Sequence, residues 1–440
     1  TLEERGELMA QAIEMCMLDS VRIWLKDDFG VAPYGNNIEI AADLSGSIYG
    51  SSLWPYTLRV DGGIGGSVTV GEPSILTEPW NPIGGSNWVY DTFPQNATAE
   101  PATVPHPYTG LQLPLNLERA EVVVNEGLPV GAVYDWVDLS FEAEISVPED
   151  AWYDWDAAEQ RFITVGEAFP DGGVTAVRKS VAYYPEDMFT TVKWHDGSPI
   201  SVGDFVMGMI MTFDQAKEDS YVYDEAAIPG YDQLMGYFKG VSIVSTDPLV
   251  IETYLDSWGL DAENSVWPWW PAFGYGPGSW HTMAIENITE ANGELAYTNS
   301  KADAQEIEVM NLIAGPSIEL LAAALETAAA ETLIHYAPTM GEYVTAEEAA
   351  ARYENLQTWF TRRGHFWIGT GPFYLERAFP VEGTVILQRY QDYPYPADRF
   401  AGFSVPPIPE VLLDGPSSVT IGEEVVFDVF VDTPAGAPYP

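Results

Sequence analysis

Residues 190–217 do most to restrict the fold, because they join a turn that needs glycine to a helix that needs burial. Asp196 and Gly197 carry the turn, since glycine takes a positive φ without a Cβ clash. Pro199 and Ser201 lead into Phe205, Val206, Met209, Ile210 and Phe213, which are spaced as one buried helix face. Asp204 falls in the first turn of that helix, where a carboxylate suits unpaired amides and the helix dipole. Val192 to Trp194 reads as the end of a short strand feeding the turn.

Charge narrows the function classes. The chain has 66 Asp and Glu against 18 Lys and Arg, a net charge of −48, so it has no basic footprint for nucleic acid and is repelled by anionic membranes. The acids are spread along the chain and not blocked into tracts, which reads as a solvated surface tuned for solubility or for high salt. At 440 residues and 46% hydrophobic, the chain can bury a large core and should hold two or more domains. No apolar run reaches the ~18 residues of a membrane span. The chain begins at Thr1 and breaks off in what reads as an unfinished β domain, so it is expected to be a fragment of a longer protein. A single cysteine, Cys16, excludes an intramolecular disulfide and a multi-thiolate metal site. Beside Ala12, Ile13 and Met17 it reads as a buried structural thiol.

Taken in order, residues 2–18 form an amphipathic helix with Leu2, Met9, Ala12, Ile13 and Cys16 on one stripe. Residues 21–25 read as a buried strand, 61–66 as a glycine-rich joint lacking phosphate-loop spacing, and 67–71 as a strand. Residues 137–147 alternate as a half-buried strand, while the aromatic and acidic stretch 152–156 reads as a surface loop. Residues 238–255 form a hairpin turning at Asp247 and Pro248. The prolines of 265–277 forbid a regular helix there; 302–333 is helical with a break at Gly315 and Pro316, and 347–360 is helical again. Pro406, Pro407 and Pro409 make an extended linker over 401–410, and 411–440 reads as the first strands of an Ig-like sandwich.

Two motifs carry a family resemblance. Lys193, Trp194, His195, Asp196, Gly197, Ser198 and Pro199, followed by Asp204 and its helix, resemble the "WHDG-[ST]-P" turn of the extracytoplasmic solute-binding proteins of peptide-type ABC importers, family 5. Gly369, Thr370, Gly371, Pro372 and Phe373 resemble that family's "GTGPY" stretch. Looser likenesses keep the family's order across residues 67–395, including the Asn81-Pro82 pair and the Tyr90-Asp91 pair of a first helix. Tyr390 stands where the family has asparagine. Residues 1–60 resemble the family's returning helix-strand segment, normally found near the carboxyl end, which implies a permuted or tandem parent.

The resemblance implies an α/β fold, a periplasmic-binding-protein-like type II lobe of mixed sheets with flanking helices over 67–400. It also implies a substrate-binding receptor, not an enzyme, that needs no cofactor, captures a peptide or other small solute outside the cytoplasmic membrane and hands it to permease subunits. By its pattern, the motif residues Trp194, His195, Asp196, Gly197, Asp204, Gly369, Gly371 and Pro372 are structural. The aromatic wealth, 15 tryptophans and 24 tyrosines, supplies either core packing or a cleft lining. The candidate ligand contacts are Trp80, Asn81, Trp88, Tyr90, Trp267, Trp269, Trp270 and Tyr275. No catalytic constellation or metal-ligand spacing is present among the five histidines. The competing class is a cell-surface glycan-binding or structural protein built on the same fold.

Overall fold

The structure, a computed structural model, describes residues 2–18, 32–43, 46–404, 410–416, 418 and 426–432. It divides into two units, Thr1–Asn36 and Asn37–Pro440.

In the first unit, helix α1 spans Leu2–Leu18, as its stripe predicts. Leu8, Met9, Ile13 and Met17 are all more than half exposed, and Cys16 is exposed as well. The expected buried thiol is therefore corrected: among the described residues of this unit, no element covers the stripe. The expected strand 21–25 lies outside the described residues.

The second unit is mixed α/β, built on a seven-stranded mixed sheet with flanking helices. In chain order its strands are β1 (Arg119–Asn125), β2 (Val137–Glu142), β3 (Trp152–Asp156), β4 (Arg161–Thr164), β5 (Arg178–Tyr183), β6 (Phe238–Thr246) and β7 (Leu249–Leu255). Across the sheet they run β2-β1-β5-β7-β6-β3-β4. Only β1 and β2 pair in parallel, with Ala120 opposite Val137; the other neighbours are antiparallel. Strand alternation splits the core in two. Val122, Val124, Ala182, Val241, Ile251 and Leu255 face the larger core. Val123 and Tyr254, one residue out of step, face a smaller one with Ile145, Val147 and Val165.

Helices α3 (Val202–Asp214), α4 (Trp280–Ala291), α5 (Ser317–Glu331) and α6 (Ala346–Arg363) cover the larger core, whereas α2 (Val89–Thr98) buries Phe93 and Ala97 in a separate cluster with Trp54. Helix α3 starts where Ser201 N–H donates to Asp204 Oδ2 at 2.8 Å, and buries Phe205, Val206, Met207, Met209, Ile210 and Phe213. Helix α6 is capped by Thr345 and closed by Gly364 at φ +79°. A hairpin of β8 (Phe373–Phe379) and β9 (Thr384–Arg389) follows. Residues 37–60 pack on this same unit: the Trp54 ring stacks 4.2 Å from Phe93, and Tyr56 meets Phe400 edge-on.

Several expectations need correction. Residues 152–156 are strand β3 and not a surface loop, because Trp155 is sealed in the core while Asp154 turns out to Lys217 at 2.6 Å. Residues 192–194 end no strand. Strand β5 stops before Pro185, a one-turn helix Met188–Thr191 follows, and only Lys193 bridges to Pro199. Residues 67–71 are exposed and pair with no strand among the described residues. The helical stretch 302–333 resolves into Asn299–Gln305, a short strand Glu308–Val309, and α5. Of the expected Ig-like start, the described residues contain one antiparallel pair, β10 (Glu410–Asp414) with β11 (Asp428–Asp432). The linker prolines and residues 419–421 lie outside the described residues.

Candidate ligand-binding site

The two motifs, far apart in sequence, form one joint. Trp194 N–H donates to the Ser198 carbonyl and Gly197 N–H to that of Trp194, with Gly197 at φ +96°. His195 projects from this turn into the glycine stretch. Gly369 N–H donates to its Nδ1 at 3.0 Å, so Nε2 carries the proton and donates to the Gly371 carbonyl at 2.9 Å. The His195 N–H closes the joint on the Gly369 carbonyl. Burial holds the imidazole neutral, lowering its pKa to about 4. On the far side, Gly371 N–H bonds the Thr98 carbonyl at the end of α2. A Cβ on Gly369 would collide with that same oxygen. Gly369→Ala is expected to cost about 3 kcal/mol or more. Gly197→Ala, strained in φ but open in space, should cost about 1–2 kcal/mol. Urea denaturation of both variants reads the difference, and equal losses would mean the glycine stretch is not clamped.

Asp204 lies beneath the turn, fully buried, with five donors. These are Trp280 N–H, Arg352 Nη1, Trp194 Nε1, Ser201 N–H and Arg352 Nη2, at 2.8 to 3.2 Å. Arg352 comes from α6 and also donates to the Pro199 carbonyl and to Ser201 Oγ. Its Nη1 reaches His281 Nδ1 at 3.2 Å; arginine can only donate, so His281 Nε2–H is the group that donates to Asp196 Oδ2 at 3.0 Å. Burial acts to raise the Asp196 carboxyl. His281, the Ser198 amide and Arg352 outweigh it and hold it below the usual range. Turn, α3, α4 and α6 are therefore tied by a network whose groups point at one another. That is a structural use of Trp194, His195, Asp196 and Asp204, with no reacting group left pointing outward.

The eight candidate contacts fare differently. Trp80 is sealed in the core, its ring 5.2 Å from Trp367. Asn81, also fully buried, brackets the Tyr297 and Met310 carbonyls and accepts from Ile83 and Gly84 N–H. Trp270 packs between Tyr184 and Phe205. These three serve packing, and the expectation that they meet a ligand is corrected on that ground. Trp267 and Trp269 lie half-buried along the sheet, tethered by Ser180 Oγ to the Trp267 amide and by Thr253 Oγ1 to Trp269 Nε1. Trp269 sits at φ +51°, a conformation that the two tethers hold. Trp88 is 39% exposed and meets Tyr90 edge-on at 5.3 Å.

Tyr275 lines a cavity of about 190 Å³ with Phe273, Thr92, Gln95 and Glu100. Neither Gln95 Nε2 nor Glu100 Oε2 has a hydrogen-bond partner, although both residues are buried. Burial pushes the Glu100 carboxyl up to about 8, only partly offset by Tyr393, whose hydroxyl donates to Oε1 at 2.5 Å. Gln95 and Glu100 thus stand in the wall of the cavity, with their unpartnered atoms sealed behind it. A second, open cleft of about 310 Å³ lies over the joint, walled by His195, Trp359, Tyr374 and Tyr390 with Arg362 and Arg363. Sequence reasoning missed both cavities, because their walls come from segments far apart in the chain. Among the described residues no group of three or more His, Cys, Asp or Glu side chains is gathered as a metal site, and no helix is long and apolar enough to cross a membrane. No family model matches the chain, and no curated protein matches it.

Proposed function

We propose that this chain is the ligand-capturing lobe of an extracytoplasmic solute receptor of the kind that serves peptide-type ABC importers, taking peptides or similar small solutes. The observation that carries the reading is the joint itself. The two stretches that resemble the family, 174 residues apart, meet through His195 as a single hydrogen-bonded unit. Their polar side chains are consumed in holding the body together, which suits a rigid binding scaffold better than a reaction centre. The cavity beside Tyr275, walled by Phe273, Thr92, Gln95 and Glu100, supplies the kind of apolar recess with a few polar groups that captures small solutes. Capture in such receptors works by selecting a closed state that both lobes contact, and closure presents a surface to the permease.

The test is a thermal-shift panel on the full-length protein with short peptides, oligosaccharides and nickel chelates. A ligand at 100 times its Kd stabilises by about 2.7 kcal/mol, which moves the melting curve by a few degrees. A shift with peptides alone supports the proposal. A shift with oligosaccharides alone moves the function to glycan capture at the cell surface, and no shift with any of them in folded protein overturns the receptor reading.

A further inference from the structure

Arg178 is the first residue of β5 and is only 6% exposed. Its register sets it beside Val124 and Leu255, with Phe238 next along the same row, so it stands on the face of the sheet that carries the larger core. In a chain with 66 acids, it pairs with none of those described. Its Nε is sealed from solvent with no hydrogen-bond partner. Among the described residues the terminal nitrogens have no hydrogen-bond partner either, and they are not among the sealed atoms. Asp256, which follows Leu255 in the neighbouring strand, is committed to Lys239 at 3.0 Å and to the Val177 amide. Buried Arg352, by contrast, is provided for, since it holds Asp204.

The guanidinium is largely withdrawn from water, its Nε wholly so, and no acid among the described residues offsets the desolvation of its charge. Two aromatic residues flank its row. Tyr237 precedes Phe238 in the chain and is the one ionisable group that bears on the guanidinium, and Trp267, tethered to Ser180 two residues along β5, lies with its ring 6.3 Å from Tyr237. One positive charge set among apolar and aromatic walls matches one negative charge on an apolar body. A planar fork of N–H donors matches a carboxylate.

We infer that Arg178 is a ligand-binding residue whose terminal nitrogens receive the carboxylate of a small apolar monocarboxylic solute at the end of its row, against the packed rings of Tyr237 and Trp267. The inference deepens the solute-capture reading and rests on it. Binding would complete the ion pair that the fold leaves open, so the ligand-free protein is less stable than its burial alone allows.

The experiment compares the full-length wild type with Arg178→Met, using 3-phenylpropanoate, its neutral amide and inorganic phosphate as probes. Thermal melting and tryptophan emission are the readouts. The expected result is a saturable rise of a few degrees with 3-phenylpropanoate, with no response to the amide or to phosphate. Arg178→Met should melt higher than the wild type without ligand and lose the response, because an apolar side chain of similar length removes the buried charge. Arg178→Lys, which keeps the charge but not the fork, should retain a response weakened at least tenfold. An equal shift in wild type and Arg178→Met overturns the assignment but leaves solute capture standing. Absence of any response to 3-phenylpropanoate overturns the Arg178 assignment, and the peptide and glycan panel then decides the receptor reading separately. Should Arg178→Met fail to fold, Arg178→Lys together with the amide comparison still decides the matter. A wild type that responds to phosphate and 3-phenylpropanoate alike would overturn the carboxylate assignment.

Discussion

Asp204→Ala is expected to lose about 3–5 kcal/mol of stability, the loss typical of removing one partner from a buried ion pair. The carboxylate has five donors converging on it, and the substitution takes their shared acceptor away at once, leaving Arg352 with the Pro199 carbonyl, Ser201 Oγ and Glu348. Arg352 keeps its charge with about 1% exposure, and the amides of Ser201 and Trp280 lose an acceptor that no water replaces. The two amides sit at the starts of α3 and α4, so the entry of both helices loosens together. The double substitution Asp204→Leu with Arg352→Met is the informative control. It removes both charges and fills the space, so it should lose less than Asp204→Ala alone, with a coupling of about 1–3 kcal/mol. Urea denaturation measures all of these. A loss within about 1 kcal/mol for Asp204→Ala would mean that the network holds nothing together, and the structural role assigned to the motif would fall with it.

The parts of this network that were legible from sequence are those in which partners are close in the chain. The turn at Asp196 and Gly197 and the helix start at Ser201 and Asp204 are local, and so is the hairpin of β6 and β7. Arg352 stands 148 residues from Asp204, on an α6 whose outer face reads as an ordinary charged helix, and nothing in its spacing marks it as the counter-ion. Helix α4 escaped notice for another reason. It is buried nearly all round and carries His281, Glu286, Asn287 and Glu290 inside, so it shows no apolar stripe. Strand β3 was misread because Asp154 and Asp156 imitate a loop, whereas only alternate residues of a strand need to be apolar. Trp80 and Asn81 were placed in a cleft by their likeness to a family's early loop, and the core proved to claim both. Cys16 erred in the opposite direction, since an apolar stripe specifies that it will be buried but not by what.

Stability should peak near pH 6, and Glu286→Gln should remove much of the decline on the alkaline side. Three buried histidines set the acid limb. Burial lowers His195 and His335 to about 4 and His365 to about 3, from an ordinary 6.5. A depressed histidine adds stability that is complete above the unfolded value, so each of these contributions is lost as pH falls from 6.5 toward 4 or 3. Two buried carboxyls set the opposite limb. Burial raises Glu286, whose two oxygens have no hydrogen-bond partner, to about 8, with the nearby Tyr297 and Thr282 hydroxyls offsetting only part of the effect and Glu290 adding to it. Glu100 is raised to about 8 as well. The unfolded chain releases both protons near 4.5 while the folded one retains them, so stability declines as pH rises from 4.5 to 8. Three histidines outweigh two carboxyls below pH 6, and above it their effect fades as the unfolded imidazoles lose their protons while the carboxyls still act. The crossing gives the maximum, followed by a fall of roughly 2 kcal/mol between pH 6 and 8. The net charge of −48 pushes in the same direction, because self-repulsion grows as the acids ionise. Glutamine at 286 keeps the shape of the protonated acid and cannot ionise. Its variant should match the wild type at pH 4.5 and exceed it by about 3–4 kcal/mol at pH 8. Melting both proteins across that range at fixed salt decides the point: parallel curves would mean that Glu286 is ionised in the folded chain, and would assign the alkaline decline to surface charge.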